Sequence, residues 1–193
     1  MGGTVLRGVG VAIVAASTFQ MDLMWRGKRI NNPDERPEGI PVRAWRTILK
    51  HVNLTMAAHW HKQFLPKHFG PDAARRYKGV YKKRSARHRQ RKERSRKSVA
   101  KTDRDYLVFS GKLRDRVTRN VAFRVFPTRV TIHMASTSYI SRRPRKGQPN
   151  VHAELTALTV GELKELKQLG ARTLRAAISD FKATWTLPGG MSS

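Results

Sequence analysis

The sequence predicts an α+β protein: a small antiparallel sheet packed on a long amphipathic helix, plus a C-terminal helix and extended basic loops. Three observations carry this. Apolar residues recur every third or fourth position from Val42 to Phe64, the stripe of an amphipathic helix. Two short runs, 121–125 and 130–134, place their larger apolar residues at alternate positions, as strands do. A second helical period runs from Thr159 toward Trp185. At 193 residues the chain suits one core with appendages. We divide it into an N-terminal extension and Pro-rich connection (1–41), a single domain (42–187) with basic insertions at 75–101 and 141–150, and a flexible tail (188–193).

The N-terminal stretch MGGTVLRGVGVAIVAASTFQ imitates a secretory leader, with Arg7 ahead of an apolar run from Val9 to Ala16. That run is too short to span a bilayer, which takes about 20 apolar residues, so a leading strand or helix packed on a neighbour is expected. In RINNPDERPEGIP, Pro33, Pro37 and Pro41 break both helix and ladder, and Pro41 stands at the first turn of the next helix. The stripe of that helix is Val42, Trp45, Leu49, Val52, Met56, Trp60 and Phe64; from Trp45 on it is the predicted core, and Pro66 is expected to end the helix.

Residues 75–101 hold fourteen Lys or Arg against Glu93 alone. With Ala86 the one apolar residue between Tyr81 and Val99, the stretch has no face to bury and reads as a solvated or ligand-ordered loop. YLVF (Tyr106–Phe109) reads as a short strand, and SGKLRDRV as a turn into one or two helical turns. The two alternating runs form a β-hairpin around FPTR. SRRPRKGQPN is a second basic loop, after which Val151–Leu155 reads as a strand. Thr159 and Glu162 have capping-box spacing, and Leu163, Leu166, Leu174, Ile178 and Phe181 form the buried face of the last helix, weakened in its middle by Gly170.

Forty Lys and Arg against thirteen Asp and Glu give a formal charge of +27, which points to a polyanionic or acidic environment. The charge is uneven, since five basic residues face four acidic ones from Val151 onward. The absence of cysteine excludes a disulfide framework, a thiolate zinc site and a cysteine nucleophile. No metal site is expected from His51, His59, His61 and His68, because His59 and His61 face different sides of a helix and no acid lies between His51 and Asp72. Polar-face histidines are the expectation. Ser110 lacks the frame of a nucleophile elbow, and FSGK has Tyr106 where a phosphate-binding loop needs its first glycine. The carboxylates are scattered, so neither an enzyme nor a cofactor is expected.

The candidate polyanion or acidic-partner contacts are Arg75, Arg76, Lys82, Lys83, Arg84, Arg87, Arg89, Arg91, Lys92, Arg94, Arg96 and Lys97, with Arg142, Arg143, Arg145 and Lys146 of the second loop. No recognition helix, zinc finger or RNP-type aromatic pattern accompanies them, and Tyr77 and Tyr81 are expected to pack where the loop joins the fold.

Three stretches resemble the neck and tail-completion proteins of tailed bacteriophages, including Mu-like virion morphogenesis proteins. They are the long helix leading through HFGPDAARRYKGVYKKRS, the signature YLVFSGKLRDRV, and the hairpin, loop and final helix reached through ELTALTVGEL. The likeness covers about three quarters of the chain; the N-terminal forty residues and the basicity of 75–101 depart from it. It implies a ring of copies at the head-tail junction or tail end, joined to portal or connector and tail-tube proteins in a virion assembled in the host cytoplasm. Genomic DNA in the channel is a further implied contact, and no membrane is. Around the turn the subunit-interface candidates are Ser110, Gly111, Leu113, Arg114 and Arg116, with Leu113 dropping onto the core and the arginines pointing outward. The charge also suits a second class, an RNA-binding structural protein such as a ribosomal or mitoribosomal subunit, although such a protein would often spread its bases over the globular face too.

Overall fold

A computed structural model of the chain describes residues 18–22, 24–25, 28–29, 36–95, 107, 111–119, 121–134 and 149–185. The architecture is α+β, with a small antiparallel sheet on one long helical rod. Helix α1 (Val42–His59) starts as Trp45 N–H donates to the Pro41 carbonyl at 2.9 Å. The rod does not stop at Pro66. It widens into a π-helical turn (Trp60–Phe64), where Leu65 N–H reaches back to the Trp60 carbonyl, and then tightens into a 3-10 helix (Leu65–Phe69). Pro66 is the physical reason, because a proline inside an α-helix removes a donor and its ring crowds the carbonyl four residues back. Sitting in the first turn of the 3-10 helix, Pro66 spares the chain that loss. Trp45, Leu49, Val52, Trp60 and Phe64 are fully buried and Met56 nearly so, as the sequence stripe requires.

Three strands form the main sheet. β1 (Thr18–Asp22) and, after two further two-residue strands β2 (Met24–Trp25) and β3 (Lys28–Arg29) that pair with each other, β4 (Val121–Val125) and β5 (Arg129–Met134) complete the set. The order is β1-β5-β4, with both pairings antiparallel: Thr18 opposes His133 and Val125 opposes Val130. Val130, Ile132 and Met134 of the central strand are buried against α1, while Arg129 and His133 are exposed. The apolar run Val9–Ala16, expected to form a leading strand or helix, lies outside the described residues.

The buried Asn53, on the sheet-facing side of α1, locks the hairpin to the rod. Its side-chain amide donates to the carbonyls of Phe126 and Pro127, both at 3.0 Å, at the hairpin turn. Helix α2 (Ala73–Arg76) is a single turn, helix α3 (Ala86–Arg94) lies within the basic stretch, and helix α4 (Lys112–Arg119) follows Gly111. Helix α5 (Val151–Thr156) stands where the sequence suggested a strand. The correction has a local cause: the Asn150 side chain accepts from Ala153 N–H at 3.0 Å and caps a helix. Helix α6 (Val160–Trp185) packs on α1 through Leu166 and Leu174, with Gly170 buried between them. The expected strand at Tyr106–Phe109 lies outside the described residues except for Leu107, which is a buried turn residue.

Because Asn53 joins helix and hairpin turn by two hydrogen bonds, Asn53→Ala is expected to lower stability by about 1–3 kcal/mol. Urea unfolding followed by tryptophan fluorescence measures it, and an unshifted midpoint would show that apolar packing alone seats the hairpin.

Candidate functional site

The 3-10 helix Leu65–Phe69 is the point on which α2, α4 and α5 all pack. It presents His68, which is 1 % exposed and lies at the centre of an aromatic stack. The Tyr77 ring is 3.9 Å from it and nearly parallel, and Tyr81 follows at 6.3 Å. The chain reaches these positions through two tight turns, and Gly79 supplies the positive φ that the second one requires. The Tyr81 hydroxyl sits 3.0 Å from His68 Nδ1 and 3.2 Å from the His68 carbonyl, so one phenol ties side chain and backbone of the same residue. Burial holds the His68 pKa down to about 4, against the upward pull of the Glu162 carboxylate and the carbonyls of Ala157 and Glu154. The ring is neutral at pH 7, and the expectation of a polar-face histidine is corrected: His68 belongs to the core.

Two buried carboxylates, Glu154 and Glu162, both from downstream in the sequence, border the stack. Glu162 completes its capping box with Thr159, accepting from Thr159 N–H at 3.0 Å while Glu162 N–H donates to the threonine hydroxyl at 3.1 Å. Its other oxygen accepts from the Tyr77 hydroxyl at 3.1 Å, with Lys67 at 3.5 Å and Arg76 at 3.9 Å. Burial, then the Glu162 charge, pushes the Tyr77 phenol well above its ordinary pKa, and burial does the same to Tyr81. Glu154 is fully buried and held by the Arg84 guanidinium through two parallel hydrogen bonds of 2.9 and 2.6 Å, plus Lys82 N–H at 3.3 Å.

Arg84 therefore leaves the set of polyanion contacts. A stretch with few apolar residues still buries a charge when the guanidinium finds a carboxylate, and Glu154 stands seventy positions downstream. Lys92 is buried as well, at 4 % exposure, and Arg89 is half-buried. The uniform loop is replaced by a capped helix: the Ser85 hydroxyl accepts from His88 N–H at 3.3 Å and opens α3. Lys82, Lys83, Arg87, Arg91 and Arg94 remain exposed. Arg75 is exposed but pairs with Asp72 at 3.0 Å, and Arg76 leans toward Glu162. Arg96, Lys97, Arg142, Arg143, Arg145, Lys146 and Ser110 lie outside the described residues.

Gly111 takes φ 76° and turns the chain into α4, a conformation that suits glycine. Leu113 and Val117 are buried beneath it, whereas Arg114, 3.6 Å from Asp115, and Arg116 point outward. Leu113, in the first turn of the helix, drops onto the core as the sequence reading has it. His61 Nε2 lies 3.1 Å from the Val117 carbonyl, and His59 Nε2 lies 2.8 Å from the Glu165 carboxylate. Among the described residues no group of three or more histidines and acids is arranged to hold a metal ion.

Sequence reasoning found the capping box but not the second duty of Glu162, and it missed Glu154. The one available signal was that Glu154 is the sole acid in an otherwise uncharged segment, from Val151 to Gly161. Comparison with protein-family models, curated proteins and solved structures finds no match in any of the three. Fold and site together define a class in physical terms: an α+β protein whose buried acids are consumed in holding a basic segment in place.

Two measurements test this arrangement. Glu154→Gln leaves the Arg84 guanidinium buried without a counter-charge and is expected to cost about 3–5 kcal/mol, while Arg84→Met with Glu154→Leu recovers most of it. If the double variant is no more stable than Glu154→Gln, the pair is not the reason for the loss. The neutral His68 also sets a pH dependence. The unfolded imidazole titrates near 6.5 and the folded one near 4, so between these values the unfolded chain holds the extra proton. Stability is full above pH 6.5 and falls toward pH 4 by about 1.4 kcal/mol per pH unit from this group. His68→Phe keeps the stacking surface and should flatten that slope in urea titrations; an identical slope in the variant would show that His68 is not its source.

Proposed function

We propose that this protein is a non-enzymatic structural component of a virion, a ring subunit of the neck or tail end that joins the capsid connector to the tail. The observation that supports this reading most is a convergence. The three stretches whose residues resemble neck and tail-completion proteins meet on the 3-10 helix Leu65–Phe69: α2 from HFGPDAARRYKGVYKKRS, α4 from the Gly111 turn, and α5 ahead of the Glu162 cap. Segments scattered over about a hundred residues thus pack on one short helix, as parts of one structural unit would.

In this reading the Trp45–Phe64 stripe builds the core, and the surface builds the ring. β4 stands at the edge of the sheet and its outer side has no partner strand among the described residues, so it offers a ladder to a neighbouring copy. Arg114 and Arg116 stand on the outer side of α4. Head-to-tail contacts of this kind close into a ring by rotation. The bases left exposed on α3 face adjacent acidic rings or genomic DNA. The same bases favour a second reading, an RNA-binding structural protein, because they remain available to phosphates. Among the described residues no helix is long and apolar enough to cross a membrane.

Sedimentation of a native lysate separates the readings. The protein is expected to travel with DNA-filled particles and to stay with them after nuclease treatment. The charge reversal Arg114→Glu with Arg116→Glu, which touches no buried side chain, should leave filled heads separate from tails. Attached tails in that variant would count against the contact, and co-migration with ribosomal RNA that nuclease abolishes would transfer the protein to the second class.

A further inference from the structure

Helix α3 sorts its charges by direction. Arg87, Arg91 and Arg94 are spaced four and three residues apart and fall within an arc of roughly 60° at the helical repeat. All three are exposed, and none has an ion-pair partner among the described residues. Lys92 is buried and Arg89 half-buried on the other side, and Glu93, the acid of this helix, projects well away from the stripe. The face is in place before any ligand arrives, since Ser85 caps the helix and the Arg84–Glu154 pair anchors the residue just ahead of it. Binding to it carries little of the ordering cost that a disordered basic arm would incur.

We propose that the Arg87–Arg91–Arg94 stripe is a preformed, sequence-independent contact to the phosphate backbone of duplex DNA. From Arg87 to Arg94 the helix rises about 10 Å. Over that length each strand of duplex DNA presents about three phosphates. A single-stranded ligand fits less well, because such sites add aromatic platforms for the bases. α3 carries no Phe, Trp or Tyr, and the nearby Tyr77 and Tyr81 are committed to the His68 stack. The three arginines form a point-charge ladder that positions a backbone and reads no base edges. The choice of DNA over RNA rests on the proposed place in the virion; the geometry of the stripe does not depend on it.

The test is fluorescence anisotropy of the full chain with a labelled mixed-sequence DNA duplex of about 24 base pairs, titrated between about 50 and 200 mM salt. Wild type is compared with Arg87→Gln/Arg91→Gln/Arg94→Gln and with Lys167→Gln/Arg172→Gln/Arg175→Gln, an equal charge loss on the exposed face of α6; circular dichroism verifies that both variants are folded. Loss of three phosphate contacts should reduce the slope of log affinity against log salt by about 2.7, so that the affinity lost across this salt range shrinks roughly 40-fold. The α6 variant should keep most of the wild-type slope, and a scrambled duplex should bind as well as the first. An unchanged slope in the α3 variant, or an equal fall in both variants, would overturn the stripe. Tighter binding to single-stranded DNA or to duplex RNA of the same length would overturn its assignment to duplex DNA. If the protein sediments away from virus particles while the α3 slope behaves as expected, the virion reading falls and the stripe stands; the reverse pattern removes the stripe alone.

Discussion

The buried pairing of Arg84 with Glu154 is the constraint on which the rest of this structure depends. Both ions give up hydration, a cost of several kcal/mol each, and the attraction offsets it only because the geometry is bidentate and Lys82 N–H supplies a third bond. Such a pair adds little net stability compared with apolar residues of the same shape. What it does add is position. It fixes the start of the basic segment against α5, so α3 leaves the domain from one defined place.

A second carboxylate works beside the first. Glu162 caps α6 and takes the Tyr77 hydroxyl, so the helix start and the aromatic stack share one oxygen-bearing group. His68 sits between the two acids and remains neutral because burial outweighs the Glu162 charge. The rod beneath is shaped to allow this. The shift from α-helix through a π-helical turn to a 3-10 helix lets the chain carry Pro66 without a break and brings His68 into the core and the stack.

The net charge of +27 therefore describes two populations of side chains. Arg84 and Lys92 are buried, and the Arg84 charge helps hold the fold through Glu154; Arg87, Arg91 and Arg94 stand outside it, turned toward solvent. A positive surface held on rigid elements suits contact with a fixed polyanion better than capture by a floppy arm, because less conformational entropy is lost on binding. The near-neutral α6 packs behind on α1, which keeps the repulsion among like charges away from that part of the core.

By itself the sequence determined the α+β class, the buried stripe of α1, the alternation of β5, the capping box of α6 and the excess of positive charge. These are legible because each rests on spacings within a few residues, where the 3.6 and 2.0 periods of helix and strand act directly. Tertiary structure decided the rest. Whether Arg84 meets a phosphate or a carboxylate depends on Glu154, seventy positions away. Whether His68 faces water or a tyrosine depends on a turn at Gly79. Residues 151–155 are too short for periodicity to separate strand from helix, and the Asn150 cap, read together with the packing of α5 on the 3-10 helix, settles the matter. Charges carry no period and act through space on whatever the fold brings near, so only the folded chain divides those that hold it together from those it offers to a partner.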